Sequence, residues 1–209
     1  MDIKKVDEAK EKIKWYGKRW TEINALHHVW FYMQYGFQYG EEHEKSKLIE
    51  KMYRNAKMFF QLSRIGIERT SRLELVKLFE GNDKATMRYL REYLNESATD
   101  LFDDNEDLMH LKFINSEFER DMKGLYKTIE SLKDIRNSHL AHNDLNQVND
   151  PNYLSDLYEQ SGIIIDDIFR IINRTKEYLK DLSDLFGLHG VCIEYPEMMD
   201  ITSLEMWFK

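Results

Sequence analysis

The spacing of apolar residues constrains this chain more than any other feature of its sequence. Apolar side chains recur every three or four positions along nearly the whole chain, and no long stretch alternates with a period of two. A spacing of three and four follows the 3.6 residues of an α-helical turn, whereas a half-buried strand needs alternation. We therefore expect an all-α protein.

Glycine and proline are scarce, which predicts long helices joined by few turns. The 209 residues include 9 Gly and 2 Pro, well below the usual combined share of roughly 12%. A length of 209 residues suits one domain with one core. We expect a single helical domain over 1–209, built as an up-and-down bundle. Its core covers approximately 41–186, extra aromatic helices occupy 1–40, and a short tail at 187–209 stays unassigned.

Two long neighbouring helices are expected in the second half of the chain. The first runs from Leu108 to about Leu140, and the second runs antiparallel to it from Tyr153 to Phe186, with a candidate break at Ser161-Gly162. The Asn- and Asp-rich stretch 143–151 is typical of a loop. The expected buried side chains of the first helix are Phe118, Met122, Leu125, Ile129, Leu132 and Ile135. Those of the second are Ile164, Ile168, Ile171, Ile172, Tyr178, Leu182 and Leu185.

The acidic stretch 95–107 is predicted to form a loop that also caps the helix after it. Its most acidic part, 103–107, has two interpretations. It is either a solvated cap or a docking site for a basic partner such as an antitoxin.

Charge and cysteine content narrow the functional classes. The formal net charge is −8, which argues against a general duplex-binding surface. The single cysteine, Cys192, cannot form an internal disulfide, and no apolar stretch resembling a signal peptide follows Met1. The most apolar run, Ile163–Ile165, is far shorter than the roughly 20 residues that cross a bilayer. We expect a cytoplasmic protein with no membrane segment.

The most informative segment lies where the apolar stripe of the first long helix meets polar residues. Residues 135–144 read Ile-Arg-Asn-Ser-His-Leu-Ala-His-Asn-Asp. The helical spacing carries Arg136, His139 and His142 onto the buried face, where unpaired polar groups cost several kcal/mol. Two explanations stay open. These side chains either close the helix end through hydrogen bonds and the helix dipole, or form a functional site.

This segment resembles the motif of the HEPN superfamily, an Arg followed after four to six residues by a His. Five residues separate Arg136 from His142, and Asn137 matches the polar residue often found directly after the Arg. The wider context is similar to the abortive-infection, AbiU-like branch over about residues 10–186. That context comprises Trp30-Phe31, Leu73–Phe79, Ile135–Asp144 and the Ile-rich Ile163–Arg174.

The resemblance implies an endoribonuclease that needs no metal, acting as a toxin or antiviral effector. It also implies a homodimer in which two motifs face each other to build one active site. His142 would move protons near neutral pH, Arg136 would hold phosphate oxygens, and Asn137 would orient either group. His139 is a further candidate for contacting the RNA substrate, with a place in the dimer seam or in solvent as its alternative. We expect no cofactor and no metal, and an antitoxin or other defence-system component is a candidate partner.

Several alternatives follow from the same residues. His139, His142 and Asp144 could hold a metal ion, although histidines three apart are common by chance. Asp144 also stands where HEPN proteins controlled by nucleotidyl modification carry a tyrosine, which argues against that control. The alternative function is a non-catalytic HEPN-like module that binds a nucleotide or a protein.

The tryptophans and the paired histidines near the start of the chain have a structural interpretation as well. Trp15, Trp20 and Trp30 could stack on RNA bases, but at helical spacing they more often form core or interface. His27 and His28 lie among apolar neighbours, which favours packing over metal ligation.

Overall fold

The structure of the protein, a computed structural model, describes residues 1–35, 44–81, 84–137 and 153–188. Across these ranges 86% of the residues are helical and none forms a strand, which confirms the all-α prediction. The helices are α1 Ile3–Tyr35, α2 Glu44–Asn55, α3 Lys57–Phe79, α4 Met87–Leu101, α5 Asn105–Lys123, α6 Tyr126–Ile135, α7 Tyr153–Gln160 and α8 Ile165–Leu185.

Helix α1 is the longest element and the axis of the bundle. It packs against α4 along its first half and against α3 along its second half, so α3 and α4 lie end to end beside it. The polar contacts that mark this arrangement are Lys5–Asp100, Tyr16–Thr86, Arg19–Glu74 and His27–Arg72. Trp20 and Trp30 are buried here. Trp20 Nε1 donates a hydrogen bond to the carbonyl oxygen of Ile172 on α8 at 2.9 Å.

Helix α5 packs along α8 and runs antiparallel to it, as predicted for this part of the chain, and the first turn of α6 contacts the first turn of α8. The contacts between them are Tyr178 to Asn115, Arg174 to Asp121 and Thr128 to Asp167, so residue numbers rise on one side as they fall on the other. The six predicted stripe residues from Phe118 to Ile135 are all buried. The loop expected at 143–151 lies outside the described residues.

The prediction of a single helix over 108–140 is wrong in detail, because the chain forms two helices in this region. Helix α5 ends at Lys123 and α6 begins at Tyr126, with Gly124 and Leu125 between them. Glycine is a poor helix former, while the apolar spacing continues across the break, so the spacing alone predicted one helix. The end expected at Leu140 lies outside the described residues.

The candidate break at Ser161-Gly162 is present between α7 and α8. Gly162 has a φ of +65°, a backbone conformation that glycine adopts without the steric cost of a side chain. Ile164 is exposed rather than buried, which corrects the prediction for that residue. It lies before the first turn of α8 in an extended conformation, so the helical spacing does not apply to it. Leu185 is only half-buried.

The loop expected at 95–107 is shorter than predicted. Helix α4 continues to Leu101 because Leu94, Ala98 and Leu101 form a buried face, and only residues 102–104 separate it from α5. The predicted cap is present, since Asp104 Oδ1 accepts a hydrogen bond from the backbone of Glu106 at 2.9 Å. No helix in the described ranges is long and apolar enough to cross a membrane.

Candidate functional site

Arg136 lies at the C-terminal end of α6, where the buried stripe of that helix ends. Leu132 and Ile135 before it are buried, whereas the Arg136 side chain is 18% exposed. The backbone widens into a π-helical turn at Arg136 and Asn137, a distortion that occurs often at functional sites. The end of the helix therefore presents a guanidinium group at the edge of the core.

Glu80 binds the guanidinium of Arg136 with both carboxylate oxygens. Arg136 Nη1 donates to Glu80 Oε2, and Arg136 Nη2 donates to Glu80 Oε1 at 2.7 Å. Glu80 follows the last residue of α3, and the chain turns away at Gly81, which has a φ of 81°. Hydrogen bonding to Arg136 lowers the pKa of the Glu80 carboxyl below its ordinary value. The carboxylate is therefore ionised at neutral pH.

Asn137 occupies a second edge of the same guanidinium. Arg136 Nε donates to Asn137 Oδ1 at 3.1 Å, and Arg136 Nη2 donates to the same oxygen at 2.7 Å. Asn137 is itself exposed. One edge of Arg136 therefore faces a charged carboxylate and another faces a neutral amide oxygen at the protein surface.

The histidines of the predicted site lie outside the described residues. The structure brings Arg136 and Asn137 together, while His139, His142 and Asp144 belong to a part of the chain that it does not describe. In the described part, no three potential metal ligands from His, Cys, Asp and Glu side chains cluster together.

Glu80 was not found by the sequence analysis. It lies 56 positions before Arg136, one position beyond the segment Leu73–Phe79 that contributes to the family resemblance. A motif defined by spacing cannot reveal a partner on another helix. Glu80 could have been detected only by asking which acidic residue the fold brings to Arg136.

A surface groove of about 480 Å³ lies between the end of α3 and helices α4, α5 and α6. Phe79 and Gly81, on either side of Glu80, contribute to its wall. Its other lining residues are Met87, Arg88, Arg91, Glu92, Phe118, Glu119, Tyr126, Ile129 and Glu130. Its arginines are paired with carboxylates of the same groove, Arg88 with Glu92 and Arg91 with Glu119. The groove thus has a lining that is more polar than apolar, an exposed tyrosine, and two arginines against three glutamates, so it carries no excess positive charge.

Comparison with known proteins identifies the family. The sequence matches the AbiU2 family of HEPN domains over residues 10–196. The chain belongs to the AbiU2 family of HEPN proteins. None of the curated proteins and none of the solved structures searched matches it. The match confirms the resemblance to the abortive-infection branch and relates this AbiU2 protein to abortive infection.

A second polar cluster of this AbiU2 protein is buried between α1, α3 and α7. Arg72 Nη1 donates to His27 Nδ1 at 2.7 Å, and its guanidinium carbon lies 4.3 Å from the centre of the Trp30 ring. Burial, with the charge of Arg72, lowers the pKa of His27 to about 2, so the ring is neutral. Burial raises the pKa of Glu68, and Arg72 opposes that rise. The packing interpretation of His27 holds, and the ring is fully buried rather than partly buried.

The Arg136–Glu80 pair should make the stability of the AbiU2 protein depend on pH. A carboxyl with a lowered folded-state pKa stabilises the fold above its unfolded value, 4.5 here, and loses that contribution as the pH falls through the folded value. Glu80→Gln should therefore reduce the free energy of unfolding by about 1 kcal/mol at pH 6, and by much less at pH 3. Urea unfolding of both proteins at the two pH values measures the difference. An equal loss at both would show that the ion pair contributes nothing.

Proposed function

We propose that this AbiU2 protein is a metal-independent endoribonuclease that acts in the cytoplasm as a toxin or antiviral effector in abortive infection. One observation carries the proposal. Arg136, followed by Asn137 and five residues later by His142, stands at the end of a core helix in a chain of the AbiU2 family. RNA supplies its own nucleophile, the 2′-hydroxyl, so cleavage needs proton transfer and charge stabilisation rather than a metal-bound water.

The residues of the motif suit these two requirements. His142 is assigned proton transfer, because an imidazole titrates near neutral pH. Arg136 is assigned the binding of the phosphate oxygens, since a guanidinium keeps its charge and donates two parallel hydrogen bonds to them. Asn137 supports Arg136 before substrate binds, and its contact with the guanidinium agrees with this role. His139 is assigned contact with the RNA.

The active form is proposed to be a two-fold homodimer. One arginine and one histidine supply too few groups for the acid, the base and the charge stabilisation together, so a second motif is needed. The seam is expected near Arg136, His139 and His142. Analytical ultracentrifugation at micromolar concentration measures whether the protein is a dimer. An antitoxin or other defence component is the proposed partner of the dimer.

The groove lined by Phe79 and Gly81 suits a nucleotide next to the scissile phosphate. Its volume lies in the usual range for small-molecule sites, and its lining combines apolar with charged side chains. Tyr126 on its rim is 41% exposed and offers a ring on which a base can stack. Because the groove arginines are already paired, its recognition would act on the base more than on the charge of the backbone.

The alternative function is a non-catalytic HEPN module that binds a nucleotide or protein. One observation favours it, since Arg136 is held on two edges by its own chain. An active site should be open to solvent, whereas a structural motif should be sealed. The solvent exposure of Asn137 supports the ribonuclease function over this alternative.

The reaction chemistry gives a direct test. The protein should cleave single-stranded RNA in excess EDTA, leave DNA intact, and first yield 2′,3′-cyclic phosphate ends. Replacing the 2′-hydroxyl on the 5′ side of the scissile phosphate by hydrogen should abolish cleavage at that position, because the attacking group is gone. Gel analysis with end-group mapping measures both results. Cleavage that requires a divalent metal, or that continues at the deoxy position, would contradict the mechanism.

A further inference from the structure

The guanidinium of Arg136 is nearly saturated with hydrogen bonds from its own chain. Its end, formed by Nη1 and Nη2, faces the two oxygens of Glu80, and its side, formed by Nε and Nη2, faces the single oxygen of Asn137. A guanidinium has five N–H donors in a fixed plane. Four of the five are used here, so a phosphate that accepts two parallel hydrogen bonds has to displace one of the two partners.

The two partners differ in what their displacement costs. Glu80 is ionised and 25% exposed, so removing it from Arg136 leaves a half-buried carboxylate close to the incoming negative charge. The Glu80 pair joins two opposite charges through two parallel hydrogen bonds, whereas only the donor is charged in the bonds to Asn137. Asn137 is neutral and exposed, so its amide can turn into water and recover its hydrogen bonds there. The cheaper displacement is that of Asn137.

We propose that Glu80 is a positioning residue of the proposed RNA site, and that an RNA phosphate binds the Nε–Nη2 edge of Arg136 in place of Asn137 Oδ1. The inference rests on the proposed ribonuclease function. In the bound state the guanidinium bridges Glu80 and the phosphate, with one pair of donors directed to each. Glu80 fixes the plane of the guanidinium, and Asn137 occupies the phosphate position until substrate arrives.

The geometry supports a positioning role because Glu80 and Asn137 approach Arg136 from different elements. Glu80 is anchored where α3 ends, whereas Asn137 lies on the π-helical turn directly after Arg136. Holding the end of the guanidinium from α3 limits its rotation, while the adjacent amide needs only a side-chain rotation to leave. Among the described residues, the hydrogen bonds of the Asn137 side chain are those to Arg136.

The test follows the Arg136 Nε–H signal by ¹⁵N NMR while inorganic phosphate, or a fully 2′-deoxy oligonucleotide that cannot be cut, is added. In the wild type the Arg136 Nε–H and Asn137 amide signals should move together. Glu80→Gln should weaken oligonucleotide binding about tenfold, the effect of one charge-assisted hydrogen bond. Glu80→Asp, which keeps the charge, should bind the oligonucleotide more tightly than Glu80→Gln. Asn137→Ala should bind at least as tightly as the wild type and keep the Nε response.

The matched control is Glu117→Gln, which removes the same charge from an exposed ion pair with Arg120 on α5. It should bind the oligonucleotide like the wild type. Circular dichroism and thermal unfolding check that each variant is folded. If Glu80→Gln proves unfolded, Glu80→Asp carries the comparison.

Two results would overturn the inference. Tighter binding by Glu80→Gln would make Glu80 a competitor of phosphate, and an Nε–H signal that does not respond would place the phosphate elsewhere. Because the oligonucleotide cannot be cut, these readouts do not depend on cleavage. If the Arg136 signal responds but RNA is never cut, the ribonuclease proposal fails and the binding geometry stands. If RNA is cut while the signal stays unchanged, only the binding geometry fails.

Discussion

Replacing His142 by alanine is expected to lower the rate of RNA cleavage about 10²- to 10⁴-fold, the usual contribution of a positioned acid or base. RNA binding should stay largely intact, because the guanidinium of Arg136 supplies the charge that attracts the phosphate. Single-turnover cleavage measures the chemical step, and fluorescence anisotropy with an uncleavable RNA analogue measures binding. The contrast between the two separates a catalytic from a binding role.

Arg136→Ala is the matched variant for this experiment. It should weaken both binding and rate, because the guanidinium meets the phosphate in the ground state and in the transition state. Expression of the wild type should be toxic to cells, and either substitution should relieve the toxicity. Cleavage that survives both substitutions unchanged would exclude this motif as the active site and favour the binding-module interpretation.

Arg72→Ala should lower the free energy of unfolding by about 3 to 5 kcal/mol, the cost of removing one partner from a buried charged cluster. Arg72 is fully buried, bonded to His27 and stacked on Trp30. Without it, His27 Nδ1 loses its donor and Glu68 loses the charge that favours its ionised form. Chemical denaturation at neutral pH measures the loss.

The control for this substitution is Arg120→Ala on the surface of α5. Arg120 is 66% exposed and pairs with Glu117, so its removal should cost less than about 1 kcal/mol. Adding Glu68→Gln to Arg72→Ala should recover part of the lost stability, since the stranded carboxyl is then neutral. Equal losses for Arg72→Ala and Arg120→Ala would show that the buried cluster does not stabilise the fold.

The apolar spacing predicted the helices but not all of their ends. The stripe from Phe118 to Ile135 was predicted in full, because each of its residues faces the core by helical periodicity alone. The break at Gly124 does not disturb that periodicity, so it was missed. The sequence analysis predicted a loop where α4 continues through 95–101, because most residues of this stretch are polar. The buried face formed by Leu94, Ala98 and Leu101 keeps it helical.

The candidate site was also predicted only in part. Arg136 and Asn137 were found because they are adjacent in a recognisable motif. Glu80 and the Arg72 cluster were not found, because their partners lie on other helices and meet only when the bundle packs. The burial of Arg72 could not be predicted from spacing, since an arginine on a helix ordinarily faces solvent.

The contact between α1 and α8 determines when the bundle can close. Trp20 donates to Ile172 across 152 positions of sequence, so this part of the buried face of α1 is covered only after the first third of α8 has been made. At 5 to 20 residues per second, synthesis of that interval takes roughly 8 to 30 s. Residues 138–152, which contain both histidines of the motif, lie within it. A nascent or truncated chain that ends before α8 therefore has the motif sequence but lacks the closed core that supports it.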